Sequence, residues 1–236
     1  MVSLFTVLLI SYVLGSIPSS LWVGQIFHKM DIRNFGSGNL GTTNAFRNLG
    51  WKSGVSVLVL DFMKGFVPSF WIAMYAFEIG SGPIAPPGWE ADAFLKITCG
   101  LFAVIGHMFP VFANFKGGKG AATACGMLFG IEPISIGISS AIFILIVFTT
   151  RYVSLASIVA SFIYPISLLI MRYGLGYYVD GSIIIFATII ATGIIYKHKS
   201  NIRRLLNGTE NRVNFSGSKK EENENKTAEH LTEAEV

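Results

Sequence analysis

The chain is 236 residues long, 52% hydrophobic and 14% charged, with a formal net charge of +4. A soluble α/β enzyme carries about a quarter charged residues, so that class is excluded, and the mean hydropathy of +0.56 agrees. Several apolar runs reach the roughly 18 to 20 residues that let a helix cross a bilayer, which predicts an all-α, polytopic integral membrane protein.

The first apolar run, residues 2–27, has no Lys or Arg ahead of it and is followed by His28, Lys29 and Arg33. It lacks the basic leader of a secretory signal and reads as a retained span with its N-terminus outside. The next connector carries Lys29, Arg33, Arg47 and Lys52, which the positive-inside rule assigns to the cytoplasm. A second span over residues 54–77 leads to EIGSGPIAPPGWEAD, which has three carboxylates and no basic residue and reads as an outer loop. A third span, residues 93–112, returns the chain to the cytoplasm at FANFKGGKG.

The apolar stretch over residues 120–148 is too long for one span, and GIEP at 130–133 interrupts it with a glycine, a carboxylate and a helix-breaking proline. Two short helices there keep the basic segment KHKSNIRR cytoplasmic, whereas one would place it outside. A sixth helix starts at TRYVSLAS and covers 153–171, and a seventh covers 181–196. The expectation is seven membrane helices, some short or broken, with a cytoplasmic C-terminus. Five is the alternative, with a piece such as 120–131 re-entrant, and Arg172 falls outside against the charge rule. Residues 1–212 are expected to form a single membrane-embedded domain, and 213–236 a disordered charged cytoplasmic tail with too little apolar surface to fold. Cys99 and Cys125 lack metal or redox spacing and read as small buried apolar side chains.

Within FGSGNLGTTNAFRNLG, residues 35–50, Gly36, Gly38 and Gly41 form a G-x-G-x-x-G, and Asp61 lies twenty residues beyond. A dinucleotide fingerprint needs a preceding strand and an acidic residue ending the second strand. Here a membrane helix precedes the glycines and Asp61 falls inside the next span, so the match is accidental. The glycines with Ser37, Asn39, Thr42, Thr43 and Asn44 can still make a nest of N–H and short side-chain donors, with Arg47 adding a charged fork, which suits a phosphate. A turn-rich membrane connector is the competing reading.

FKGGKGAAT, residues 115–123, fails the P-loop pattern because Gly120 follows Lys119 where Ser or Thr is needed. Lys116, Gly117, Gly118, Lys119 and Gly120, with a helix starting just after them, form a second candidate anion site; simple positive-inside signalling is its alternative. In HKSNIRRLLNGTE, His198, Asn201 and Arg204 or Leu205 share one helical face, with Gly208 as the stop. Histidine suits proton transfer or a hydrogen bond to phosphate, and a basic surface helix is the alternative. Asp61 and Lys64, at i and i+3 inside a span, either pair to support the site or meet substrate. His107 reads as a helix-packing hydrogen bonder.

Taken in order and on one side, GSGNLGTTNAFR, GHMFPVFANFKGGKGAAT and HKSNIRRLLNGTE, together with LDFMKG and RYVSLAS, resemble the bacterial acyl-phosphate:glycerol-3-phosphate acyltransferases, the PlsY family. The likeness covers about residues 10–212. It implies a multi-pass enzyme of the bacterial cytoplasmic membrane with its active site facing the cytoplasm. The implied reaction moves a fatty acyl group from acyl phosphate to the sn-1 hydroxyl of glycerol 3-phosphate. The products are 1-acyl-sn-glycerol 3-phosphate and phosphate, in the first acylation of phospholipid synthesis. It implies no cofactor, no metal and no nucleic acid, with membrane lipid and a soluble phosphate acyltransferase that makes the donor as partners. The first motif is associated in the family with catalysis, the second with glycerol-3-phosphate binding, and the third with activity and structural integrity.

The chemistry fits those residue types. An acyl phosphate is already an activated anhydride, so orientation and charge neutralisation supply most of the catalysis. No H-x-x-x-x-D motif begins at His28, His107, His198 or His230, consistent with direct transfer. On this reading Ser37, Arg47, His198 and Asn201 are catalytic. Gly36, Gly38, Asn39, Thr43, Asn44, Lys116, Gly117, Gly118, Lys119, Gly120, Ser154 and Ser157 surround the phosphates. Asp61, Lys64, His107 and Glu210 support them, Glu210 fixing Arg203 or Arg204. The hydroxyl proton goes to a substrate phosphate oxygen or to His198. Ser154 and Ser157 stand as equal candidates, as do Lys116 and Lys119. A membrane transporter for an organic phosphate is the alternative function, though the outer loops offer little beyond carboxylates, prolines and Trp89 to line a path.

Overall fold

The computed structural model describes residues 3–78, 85–210 and 212. All regular structure among them is helical. The expected tail, residues 213–236, lies outside the described residues. The first predicted span is split into α1 (Leu4–Gly15) and α2 (Ser19–His28), because Pro18 has no N–H to continue the helical ladder. Ser3 caps α1 by accepting the Thr6 N–H at 3.3 Å, and α2 ends where Lys29 turns left-handed at φ 52°. The following connector is more helical than its glycines suggest. It holds a 3₁₀ turn at Ile32–Asn34 and α3 (Thr42–Asn48), and α4 (Gly50–Val67) begins at Gly50 and not at Gly54.

Pro68 removes another ladder bond, and a wide π turn over Pro68–Ile72 carries the helix on into α5 (Ala73–Glu78). There follow α6 (Ala91–Met108), α7 (Ala121–Ile131), α8 (Pro133–Thr150), α9 (Val153–Leu169), α10 (Gly181–Lys197) and α11 (Lys199–Leu206). The break expected at GIEP is present. Glu132 leaves the helix and its carboxylate accepts the N–H groups of Ile134 at 3.1 Å and Ser135 at 2.6 Å. Pro133 opens α8 at a position where no N–H is needed.

Seven hydrophobic helical stretches among the described residues run back and forth. Ser135 donates to Met171 at 3.1 Å, Ser69 to the Met127 carbonyl at 3.1 Å, and Tyr178 to Glu90, gathering the starts of α6 and α8 and the ends of α4, α7 and α9 at one end of the bundle. The connectors 29–49, 109–120, 151–152 and 198–210 therefore fall at the other. Five stretches are long and apolar enough to cross a membrane: Leu4–His28, Gly50–Glu78, Ala91–Ala113, Pro133–Thr150 and Val153–Gly174. Gly181–Tyr196 joins Lys199–Leu206 across a 55° bend as a sixth candidate. The 11-residue α7 spans only about 16 Å at 1.5 Å per residue, short of a hydrocarbon layer roughly 30 Å thick.

Small residues let this short helix sit inside the bundle. A Cβ on Gly65 would lie 1.8 Å from the Thr123 carbonyl oxygen, and one on Gly126 would lie 1.9 Å from that of Phe62. The α1–α6 contact is equally close, with Gly106 against the Tyr12 carbonyl. Such backbone approach is how helices associate where lipid removes the hydrophobic drive. Behind α7, Ala93, Ile97, Met127, Leu128, Tyr164 and Leu168 form a core cluster. Outward-facing Phe5, Ile144, Leu145 and Phe162 stay exposed, as a lipid-facing surface requires.

Candidate active site

The first glycine loop is fixed by its own backbone. Gly36 and Gly38 take φ of 60° and 68°, the left-handed region that favours glycine. A side chain at Gly36 would also meet Asn44 Oδ1 at 2.4 Å. Asn44 is buried and fully committed to this turn: Oδ1 accepts the Ser37 N–H at 3.1 Å, and Nδ2 donates to the carbonyls of Phe35 at 3.1 Å and Ile32 at 3.4 Å. It is a brace and not the free phosphate donor expected from its spacing. Ser37, Thr43 and Arg47 are exposed and Asn39 half-buried.

The second loop is sewn to the end of α6. The N–H of Gly117 donates to the Met108 carbonyl and that of Gly118 to the His107 carbonyl, both at 3.2 Å. Those two amides are therefore not bare donors, which corrects their expected role. Donors of that kind come instead from the first turn of α7, whose N–H groups have no partner within the helix and which Gly120 opens at φ 77°. The loops touch each other: a Cβ on Gly118 would lie 2.3 Å from His107 Nε2 and 2.8 Å from the Leu40 carbonyl.

Between them lies an open polar cavity of about 480 Å³, lined by Arg33, Ser37, Gly38 and Asn39 on one side and Asn114, Lys116 and Gly117 on the other. Of the two lysines it takes Lys116 into its wall, while Lys119 and Arg47 lie outside it. Arg33 and Asn114 were missed as site residues. Arg33 served only as a topology marker, although the D-x-R spacing just ahead of the glycines is a readable cue. Asp31 grips its guanidinium from two sides, at 3.0 Å from Nε to Oδ1 and 2.6 Å from Nη2 to Oδ2. The Arg33 side-chain bond, with its N–H, holds the Asp31 carboxyl below the usual carboxylate range. Asn114 sits left-handed at φ 53°, a conformation in which asparagine is enriched.

Beneath the loops is a buried charge cluster. Lys64 Nζ lies 2.7 Å from Asp61 Oδ1, the two side chains 7% and 1% exposed. Lys64 also donates at 2.6 Å to the Ile17 carbonyl, left open by the Pro18 break, and Thr42 Oγ1 donates to Asp61 Oδ2 at 3.3 Å. His107 Nδ1 is 3.4 Å from Lys64 Nζ and 3.7 Å from Asp61 Oδ1. Asp61 and Lys64 thus pair, as the i, i+3 spacing suggests. Beside Lys64 an apolar groove of about 430 Å³ opens between α2 and α4, lined by Leu14, Ile17, Trp22, Val23, Ile26, Phe27, Leu60, Met63, Val67 and others.

The third motif forms its own cluster around one carboxylate. Glu210 Oε1 accepts from Ser154 Oγ and Asn201 Nδ2, each at 2.8 Å, and Oε2 accepts from Arg204 Nε at 2.7 Å. The Asn201 bond leads, with those of Ser154 and Arg204, in holding the Glu210 carboxyl below its ordinary value. The open choices are narrowed: Arg204 and not Arg203 meets Glu210, and Ser154 joins the cluster while Ser157 turns back to the Val153 carbonyl at 2.9 Å. Gly208 ends the segment at φ 69°, and Arg212 pins it to the Tyr152 hydroxyl at 3.0 Å. His198 is not on the α11 face but at the α10–α11 junction. Its Nδ1 donates to the Ile194 carbonyl at 2.8 Å, so a neutral ring presents an unprotonated Nε2. Among the described residues no hydrogen bond or ion pair joins this cluster to the two loops, although both lie at the same end of the bundle.

Residues 5–208 match the family model described as glycerol-3-phosphate acyltransferase. A glycerol-3-phosphate acyltransferase of Chlorobium phaeobacteroides (strain BS1) is 45% identical over 236 residues, covering 92% of this chain and 99% of the relative. One of Salinibacter ruber is 46% identical, covering 89% and 93%. The crystal structure of PlsY (YgiH), an integral membrane glycerol 3-phosphate acyltransferase in its glycerol 3-phosphate form, is 38% identical with a TM-score of 0.66, over 89% of this chain and 95% of that one. Its lysophosphatidic acid form is 37% identical with the same TM-score and coverage. The chain belongs to the glycerol-3-phosphate acyltransferase family.

Proposed function

We propose that this protein transfers a fatty acyl group from acyl phosphate to the sn-1 hydroxyl of glycerol 3-phosphate, releasing phosphate. The observation that carries this reading is the polar cavity between two glycine loops, with the cations Arg33 and Lys116 in its wall and a lipid-side apolar groove reaching Lys64 under the first loop. Both substrates bear a phosphate and one bears a long apolar tail, so the two environments match what must be held together. The glycerol 3-phosphate and lysophosphatidic acid forms of the related PlsY support the same acceptor and product class here.

Ser37 and Asn39, with Lys116 in the cavity wall and Arg47 and Lys119 from the same two connectors, hold the two phosphates. His198 and Asn201 orient them from the third motif, Asn201 held by Glu210 with Ser154 alongside. The acceptor hydroxyl attacks the acyl carbon, the carbon–oxygen bond to phosphate breaks, and phosphate leaves with the electron pair. The proton passes to a substrate phosphate oxygen or to His198 Nε2. Positioning and neutralisation of the leaving phosphate lower the barrier, and no acyl-enzyme forms. All seven hydrophobic helical stretches enter the cytoplasmic membrane, with the N-terminus outside and the loops facing the cytoplasm, since half of the 18 Lys and Arg lie in the connectors at the site end. A soluble acyltransferase that makes acyl phosphate supplies the donor, and residues 213–236 are a charged tail.

The test is a donor panel. Purified protein in lipid is given glycerol 3-phosphate with acyl phosphate, acyl-CoA or acyl carrier protein, and the product is analysed for acyl position. Product with acyl phosphate alone, acylated at sn-1, is expected. Acylation only from a thioester donor overturns the donor assignment, and uptake of labelled glycerol 3-phosphate into vesicles without acylation favours transport.

A further inference from the structure

We infer that Asp61, Lys64 and His107 form a positioning node that sets the gap between the two glycine loops and thereby the turnover of the reaction. The inference rests on the acyltransferase reading. Ionisable groups inside a membrane bundle are costly and are retained where they act, yet none of these three lines the polar cavity. Each reaches a different part of the site. Asp61 reaches the first loop through Thr42 Oγ1 at 3.3 Å, on the first residue of α3, the helix whose Asn44 holds the turn that carries Ser37. His107 reaches the second loop twice: its carbonyl takes the Gly118 N–H at 3.2 Å, and its ring occupies the space a Gly118 side chain would need. Lys64 ties both to the Ile17 carbonyl at the break in the first span, at 2.6 Å, and to the wall of the apolar groove.

The Thr42 bond and His107 carry the pair beyond itself to the two loops. Here the carboxylate, the ammonium and the imidazole lie within 3.7 Å of one another, so a shift of one moves both loops. Ground-state binding tolerates such a shift, whereas attack of a hydroxyl on the face of an acyl carbonyl does not. The node is thus a set of positioning residues, acting on kcat through Thr42 and Gly118.

Thr42→Val removes the hydroxyl at constant shape, and Thr42→Ser restores it. Steady-state kinetics of purified protein in lipid, with the acyl donor the wild type uses, should show Thr42→Val losing about tenfold in kcat. KM for both substrates should stay within about twofold and the melting transition should not move, while Thr42→Ser recovers most of the loss. Should Thr42→Val fail to fold, His107→Asn, which keeps a polar atom near the Nδ1 position, is compared with His107→Leu; the same split between rescue and loss is expected. Equal kcat in the paired variants, or a loss carried wholly by KM or by melting, overturns the inference. Failure of the wild type to use acyl phosphate counts against the donor assignment alone.

Discussion

Ser37 and Lys116 stand on loops whose shape is set by left-handed glycines, by amides bonded back to α6 and by a buried ion pair beneath them. Ser154 and Asn201 stand on two separate helices and are joined through the carboxylate of Glu210, which arrives from beyond the end of α11. The first region draws its order from parts that cannot be removed without disturbing the bundle. The second can be released by changing one atom type at its edge. Loss of the buried pair itself should therefore read out in folding, and breakage of the second region in activity with the fold retained.

The largest expected effect is at the buried pair. Asp61→Leu strands the Lys64 ammonium among apolar neighbours, and losing one partner of a buried pair costs about 3–5 kcal/mol. Thermal melting in detergent should fall sharply or the protein should not be recovered folded, and an unchanged melting curve would undo the contrast. Glu210→Gln comes next. The amide keeps the shape and one accepting oxygen, but its NH₂ can only donate, so either the Arg204 bond or the Ser154 and Asn201 bonds are lost; acylation should drop about tenfold or more while melting barely changes.

A pH profile sharpens the same point. The Glu210 carboxyl is held below its ordinary value, mainly by the Asn201 bond. Its bonds are therefore complete above the ordinary value near 4.5 and are lost as pH falls through the lowered one. The ratio of wild-type to Glu210→Gln activity should therefore hold down to about pH 4.5 and shrink only below that. A ratio that already shrinks at about pH 6 would contradict this. The smallest effect separates the two serines: Ser154→Ala should reduce turnover several-fold, whereas Ser157→Ala, bonded only within its own helix, should remain within about twofold.

Hydropathy and charge placement made the helical, membrane-embedded class legible, and the GIEP break could be read because Glu132 and Pro133 are a local capping signal. The split at Pro18 and the helix at Thr42–Asn48 were not read: the apolar run hides the first, and three-dimensional packing of Ala45 and Leu49 into a core with Leu21, Ile32 and Val57 overrides the turn-forming composition in the second. At the site, Ser37, Asn39 and Lys116 were identifiable from residue type. That Asn44 braces the turn, that the Gly117 and Gly118 amides are used by α6, and that Glu210 selects Arg204 and Ser154 all depend on contacts distant in sequence, which spacing cannot express. Arg33 is visible in the sequence, where the positive-inside rule already accounts for it as a topology signal.

The most direct measurement is the product balance of the purified protein in lipid supplied with acyl phosphate and glycerol 3-phosphate alone. The account predicts one lysophosphatidate and one phosphate for each acyl phosphate consumed, both falling together in Ser37→Ala and Asn201→Ala. Phosphate released without lysophosphatidate, or an acyl group trapped on the protein, would contradict direct transfer at this site.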